Sequence, residues 1–367
     1  MSAIFHQISY KLISIILSIL SLFGYSSDCL KADSSEWNTN YKYVFVHGLM
    51  GWGEYDFENN FMPYWGMFGG NLMEYLDKKG FDCYAASVAP TSSAWDRACE
   101  LYAQLTGTVV DYGEAHSKEF GHDRFGADYT GKALIDSWSE ADKINLLGHS
   151  FGGATVRLFA SIMETGSDAE KAVTSEEELS EFFKGGKGDW IYSITSLAAP
   201  HNGTTAYCSS DGNDEIGALD TAAYDMYIDN AFALNKTIIT YENTYYFSIA
   251  CDATKQNDDG TYSPVKSKME SLFISSSEEM GVFTGVTLGG YVIDESWQRN
   301  DGLVNTISAL APSDAPTTDF DENNVVPGVW NVMPVYDGDH MALQGGLLKT
   351  NDIKDLYVEQ LSMINKL

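Results

Sequence analysis

The feature that most constrains this chain is a five-residue turn, Gly148-His149-Ser150-Phe151-Gly152. It lies between an apolar run, Ile144–Leu147, and a helical pattern over Ala154–Met163. The turn fits G-x-S-x-G, and its setting makes the match specific. A buried strand, a sharp glycine-flanked turn and a helix raise a serine hydroxyl above the end of a sheet. The glycines let the turn pack while the serine takes a strained backbone conformation. The following helix directs its first amides at charge developing nearby. Ser150 is therefore read as a nucleophile.

Other segments agree with that setting. Tyr43–Val46 is a short apolar run entering a Gly-rich loop, HGLMGWG. Phe81–Val88, Trp190–Leu197 and Thr244–Ala250 read as further buried strands, and Trp95–Leu105 and Ile353–Ile364 as helices. Buried strands alternating with helices predict an α/β fold, with a mostly parallel central sheet flanked by helices. Ser175–Gly188, Ser209–Gly217, Gln256–Tyr262 and Pro312–Asn324 are acidic or Gly-rich and predict surface insertions.

A serine nucleophile needs a base, and the chain has 7 histidines. His149 sits beside the nucleophile and is expected to point elsewhere. The chain order of nucleophile, acid and base favours His340, in the polar stretch DGDHMA. Two acids remain open at this point: Asp252, directly after a strand, and Asp301, in the turn of RNDGLVNT. Either would orient the imidazole and stabilise its charged form. The oxyanion donors are expected to be the backbone amides of Phe151 and of Leu49 in the first loop.

The chain carries 22 Lys+Arg against 52 Asp+Glu in 367 residues, a formal net charge of −30. That balance repels phosphate backbones and anionic membranes, so nucleic-acid binding is not expected. Apolar residues make up 44%, enough for a large core. The 5 cysteines are too few for a disulfide scaffold, although a Cys208–Cys251 bridge is compatible with the sequence. LISIILSILSLF at 12–23 is short for a membrane span and suits an export signal. Residues 1–33 are thus expected to be a signal peptide, the mature protein exported, and no later segment inserted in a membrane.

Beyond these patterns, the chain resembles the zinc-containing lipases of the thermoalkalophilic Bacillus and staphylococcal group, within the α/β-hydrolase superfamily. The resemblance rests on VFVHGLMGWG, YWG at 64–66, SSAWDRACELYAQL, VDYGEAHSKEFGHDRFG, GHSFGG, AAPHNGTT, NTYYFS, NDGLVNT and DHMA. It implies Asp301 as the triad acid with Ser150 and His340, and Leu49 and Phe151 as oxyanion donors. It also implies a structural zinc held by Asp96, His116, His122 and Asp220, since four N/O ligands with no open position suit a closed tetrahedral site. His116 and His122 are six apart, so a loop is expected between them. The implied organisation is one domain over 34–367, with a zinc-binding insertion at about 91–130 and a cover at about 168–235.

The chain also departs from that family. Only Ala206–Leu219 joins the APHNGTT loop to the zinc-binding aspartate, which implies a reduced lid and a more open site. Ala342 stands where the family has an acidic calcium ligand, which weakens any expectation of calcium. Phe151 is expected to make the pocket mouth more apolar, and Trp52, Tyr64, Trp65 and Phe151 to line an acyl groove. The implied activity is a secreted, triacylglycerol lipase-like carboxylic ester hydrolase. A short-chain esterase or polyester hydrolase with the same triad is the alternative, and a non-catalytic zinc-stabilised binding protein a remote one.

Overall fold

A computed structural model describes residues 31–208, 214, 216–348 and 352–367. The apolar stretch at 12–23 lies outside the described residues, as does nearly all of the expected signal peptide. Within them, seven strands form one sheet: β1 (Lys42–Val46), β2 (Cys83–Ala86), β3 (Ile144–His149), β4 (Ile191–Leu197), β5 (Tyr245–Ile249), β6 (Thr317–Asp319) and β7 (Trp330–Val332). Their order is β6-β7-β5-β4-β3-β1-β2, and every neighbouring pair is parallel. β3 lies between β1 and β4, with Phe45 opposite Leu147 and Leu147 opposite Thr195.

The strand period of two sends alternate residues to opposite faces. Val44, Val46, Ile144 and Leu146 enter one core with Leu101 and Leu105 of α2 (Ala94–Thr106) and Val156 and Phe159 of α4 (Phe151–Thr165). Tyr43, Phe45 and Leu147 enter the other with Leu72 and Leu76 of α1 (Leu72–Lys79) and Tyr357 and Leu361 of α6 (Asp352–Lys366). Helix starts are locally encoded. The Asn71 side chain accepts from the amides of Met73 and Glu74 before α1, and Ser93 accepts from the amide of Asp96 before α2.

Several expectations change. Ser175–Gly188 is more than a surface insertion, because its short helix Glu181–Lys184 buries Phe182 and Phe183. Phe182 stacks on Phe159 and Tyr102, and Phe183 on Trp95. Pro312–Asn324 contains the edge strand β6. β4, a central strand, falls inside residues 168–235, the stretch expected to form a cover. Cys208 and Cys251 are both free thiols, so the bridge does not form. No helix of the described residues is long and apolar enough to cross a membrane.

Candidate active site

Three loops at the C-terminal ends of strands meet at Ser150. The turn after β3 gives Ser150 a φ of 54° and ψ of −128°, a conformation that costs roughly 1–3 kcal/mol in a non-glycine residue. Its amide donates to the Leu197 carbonyl at 2.8 Å, and α4 begins at the next residue. Although Ser150 occupies the cap position of α4, its side chain makes no cap bond. Its Oγ lies 2.8 Å from His340 Nε2 instead. His340 Nδ1 lies 2.9 Å from Asp301 Oδ2. The other oxygen of Asp301 accepts the amides of Leu303 and Val304 at 3.0 and 2.7 Å. The Asp301 carbonyl accepts the His340 amide at 2.9 Å, which ties the two loops together. A carboxylate can only accept, so Nδ1 carries the hydrogen and Nε2 is free to receive the serine proton. All three residues are buried.

Asp252, the other acid left open by the sequence, is engaged by other partners. It pairs with Arg299 at 2.6 Å and accepts from Thr254. The structure brings Asp301, and not Asp252, to His340.

The first loop lies against the serine. A Cβ built on Gly48 would fall 2.7 Å from Ser150 Cβ and 3.2 Å from its Oγ, so glycine is what permits the approach. Leu49 lines a cavity of about 950 Å³ that opens on Ser150 and His340. Trp52, Tyr64, Met67, Phe273 and Leu303 give that cavity apolar walls, and Glu270 adds a carboxylate. Trp65 and Phe151 belong elsewhere. Trp65 packs edge-on against Phe45 in the core. Phe151 is fully buried beneath the Arg97 guanidinium, 5.1 Å from its ring centroid, so it does not form the pocket mouth. Its amide instead sits at the positive end of α4.

His149 does not point away. Its Nε2 meets the His340 carbonyl at 2.8 Å and its Nδ1 meets the Tyr64 hydroxyl at 2.6 Å. Nor was Arg97 singled out from the sequence. It is fully buried and donates to the His47 carbonyl, with the Gly48 carbonyl at 3.5 Å. A guanidinium buried without a carboxylate partner needs such carbonyls. Burial lowers its pKa to about 10 against the opposing pull of Glu100. The WDRAC motif shows this arginine, but only the packing of α2 on the first loop shows its task.

Next to Arg97, Asp96 faces a second cluster. The ligand atoms of Asp96, His116, His122 and Asp220 all lie within 4.8 Å of one another. His116 Nε2 is 3.1 Å from Asp96 and 3.3 Å from Asp220, and His122 Nε2 is 3.4 Å from Asp220. The chain between the histidines is helix, correcting the expected loop. α3 (Glu114–Phe120) carries His116, and Gly121 at φ 79° ends the helix so that His122 turns back beside it. From behind, the buried Glu170 of α5 (Asp168–Val173) accepts the amides of Ala115 and His116, both at 2.9 Å.

This donor set fits a divalent cation. His122 Nδ1 faces the Asp123 carbonyl at 2.9 Å, so that nitrogen carries the hydrogen and Nε2 is bare. His122 Nε2 and Asp220 Oδ1 are buried with no hydrogen-bond partner. Burial disfavours a charged His116, yet the Asp220 and Asp96 carboxylates outweigh it and raise its pKa to about 9. The two carboxylates thus draw positive charge into the cluster. Two oxygens and two nitrogens at these separations suit tetrahedral zinc.

Comparison with known proteins agrees with this architecture. A family model described as the C-terminal domain of lipase-like proteins matches residues 39–218 and 213–360. A lipase of Staphylococcus hyicus is 32% identical over 354 residues, covering 81% of this chain and 52% of that protein. Lipase 2 of Staphylococcus aureus is 31% identical over 360 residues, covering 86% and 52%. The chain therefore spans about half the length of the curated relatives it matches. Among solved structures, EstA from Clostridium botulinum superposes with a TM-score of 0.82 at 29% identity, covering 95% of this chain and 94% of that one. The S. hyicus lipase structure gives 0.79 at 30% identity, covering 90% and 98%. Lipase 1 from Pelosinus fermentans gives 0.74 at 31%, covering 88% and 98%.

Proposed function

The chain belongs to the lipase-like family whose model it matches, and on that premise we propose that it is a serine carboxylic ester hydrolase. The observation that carries the proposal is the unbroken line from Ser150 Oγ through His340 to Asp301. In this reading His340 Nε2 takes the Ser150 proton as Oγ attacks the ester carbonyl. Asp301 holds the tautomer and stabilises the imidazolium. The amides of Leu49 and Phe151 receive the negative charge on the carbonyl oxygen. His340 then protonates the departing alcohol, leaving an acyl group on Ser150. Water, deprotonated by His340, releases the acid and restores the serine.

The apolar cavity supports an acyl chain as the part of the substrate that binds beside Ser150. Lipid esters therefore lead, with short-chain and polymeric esters as the alternative outcome. Asp96, His116, His122 and Asp220 would hold Zn²⁺ as a structural ion. All four positions would be filled by protein, so it would tie chain segments together and take no part in the reaction. The apolar stretch at 12–23 supports export from the cell.

The test is hydrolysis of p-nitrophenyl esters from acetyl to palmitoyl by the wild type and Ser150→Ala side by side. The variant is expected to lose roughly 10⁴-fold or more in kcat. Faster turnover of long chains supports a lipase, whereas turnover confined to short chains supports the esterase reading. A wild type inert toward the whole series would leave the binding-protein reading.

A further inference from the structure

His340 has a third polar group near the reacting atoms, its backbone carbonyl, and His149 holds it at 2.8 Å. A carbonyl only accepts, so His149 Nε2 carries the hydrogen. In the neutral imidazole Nδ1 is then bare, and the Tyr64 hydroxyl donates to it at 2.6 Å. The Tyr64 oxygen in turn accepts the Gly48 amide at 3.1 Å. Every hydrogen on this line has one direction only: Gly48 N–H to Tyr64, Tyr64 O–H to His149, His149 N–H to His340.

The line is buried throughout, with Tyr64, His149 and His340 each 4% exposed or less. Burial, with His340 nearby, pushes the His149 pKa down to about 3, so the bare acceptor persists at neutral pH. The far end is also anchored, because the Gln344 side-chain amide, four residues past His340, donates to the Tyr64 carbonyl.

We propose that Tyr64 and His149 are positioning residues for ester hydrolysis, holding the loop of the Leu49 oxyanion donor and the loop of the His340 base in fixed register. The inference rests on the hydrolase reading above. One loop supplies the donor for the oxyanion and the other the base for the serine, and both must meet the same carbonyl carbon. A misplacement of about 1 Å between such groups costs on the order of 100-fold in rate. Apolar side chains at 64 and 149 would fill the same space without fixing that distance.

The experiment measures kcat and KM for p-nitrophenyl butyrate, together with thermal midpoints. It uses the full chain as wild type, Ser150→Ala, Tyr64→Phe, His149→Leu, His149→Gln and the Tyr64→Phe/His149→Leu double variant. Tyr64→Phe and His149→Leu are each expected to lower kcat by about tenfold or more, with KM within about twofold. Since both break one line, the double variant is expected to be about as slow as the slower single. His149→Gln keeps an N–H donor for the His340 carbonyl and is expected to recover most of kcat.

A folded Tyr64→Phe with wild-type kcat overturns the inference. So does a rise in KM at constant kcat, which would make the hydroxyl a substrate contact. Multiplying effects in the double variant, or a Gln variant no better than Leu, also overturn it. If His149→Leu does not fold, Tyr64→Phe and His149→Gln decide alone. An inert wild type would defeat the hydrolase reading itself. An active wild type, a dead Ser150→Ala and a normal Tyr64→Phe would defeat this inference only.

Discussion

Burial removes His47, His149 and His201 from water, and no carboxylate compensates them. Burial, helped by Arg97 near His47 and His340 near His149, lowers both to about 3. His201, buried beside Arg157, falls well below the ordinary value. In the unfolded chain each takes a proton near pH 6.5, while in the folded chain it does not. The folded pKa is the lower one, so the unfolded state binds more protons in acid. For His47 and His149 this stability is complete above about pH 6.5 and is lost as pH falls toward 3, at about 1.4 kcal/mol per pH unit for each, and His201 acts in the same direction. Urea midpoints are therefore expected to drop between pH 7 and pH 5, with net proton uptake on unfolding. A midpoint that holds across that range would contradict the assignment. Ser150 and His340 were legible in the sequence because a nucleophile turn and a fixed chain order mark them. His149 was not, because its direction depends on the strained dihedrals of the serine beside it and on Tyr64, which arrives from another loop.

The joint between β1, β3 and α4 explains both glycines of the serine turn. A Cβ on Gly152 would run into the carbonyl oxygen of Val46 in β1, and one on Gly148 into the carbonyl of Gly152. Backbone cannot yield as a flexible side chain does, so Gly152→Ala is expected to cost about 1–3 kcal/mol. The same displacement would lower esterase activity by moving Ser150. Urea unfolding checks the first expectation, and a loss under about 0.5 kcal/mol would show that α4 shifts freely on the sheet. Elements with a clear period were legible: α6 was expected over Ile353–Ile364 and spans Asp352–Lys366. The helix Glu181–Lys184 was not, because two adjacent phenylalanines in an acidic stretch have no period. Their burial follows from Phe159, Tyr102 and Trp95, which reach them from other helices.

Across the whole molecule, the cluster at Asp96, His116, His122 and Asp220 joins segments more than a hundred residues apart. Without a cation, only a protonated His116 stands between the two carboxylates, while four ligands on a divalent ion would tie the segments more firmly, so a chelator is expected to lower the thermal midpoint and added zinc to restore it. Metal analysis is expected to give about one zinc per chain, and Asp220→Asn to bind it more weakly. A midpoint indifferent to chelation and zinc would remove the structural role. The four candidate ligands were legible only through resemblance, since two aspartates and two histidines at these spacings form no local pattern until α3 ends at Gly121. All neighbouring strands of the sheet are parallel, and parallel neighbours cannot be closed by a tight hairpin. Each pairing waits on a crossover, and long loops must close before their contacts reward them. Ser150 follows β3 in the middle of that sheet, while His340 follows β7 near its edge. The line from Ser150 to His340 thus exists only after β3, β4, β5 and β7 have paired. During refolding from denaturant, esterase activity should return after compactness and helix content, serving as a clock for completion of the sheet.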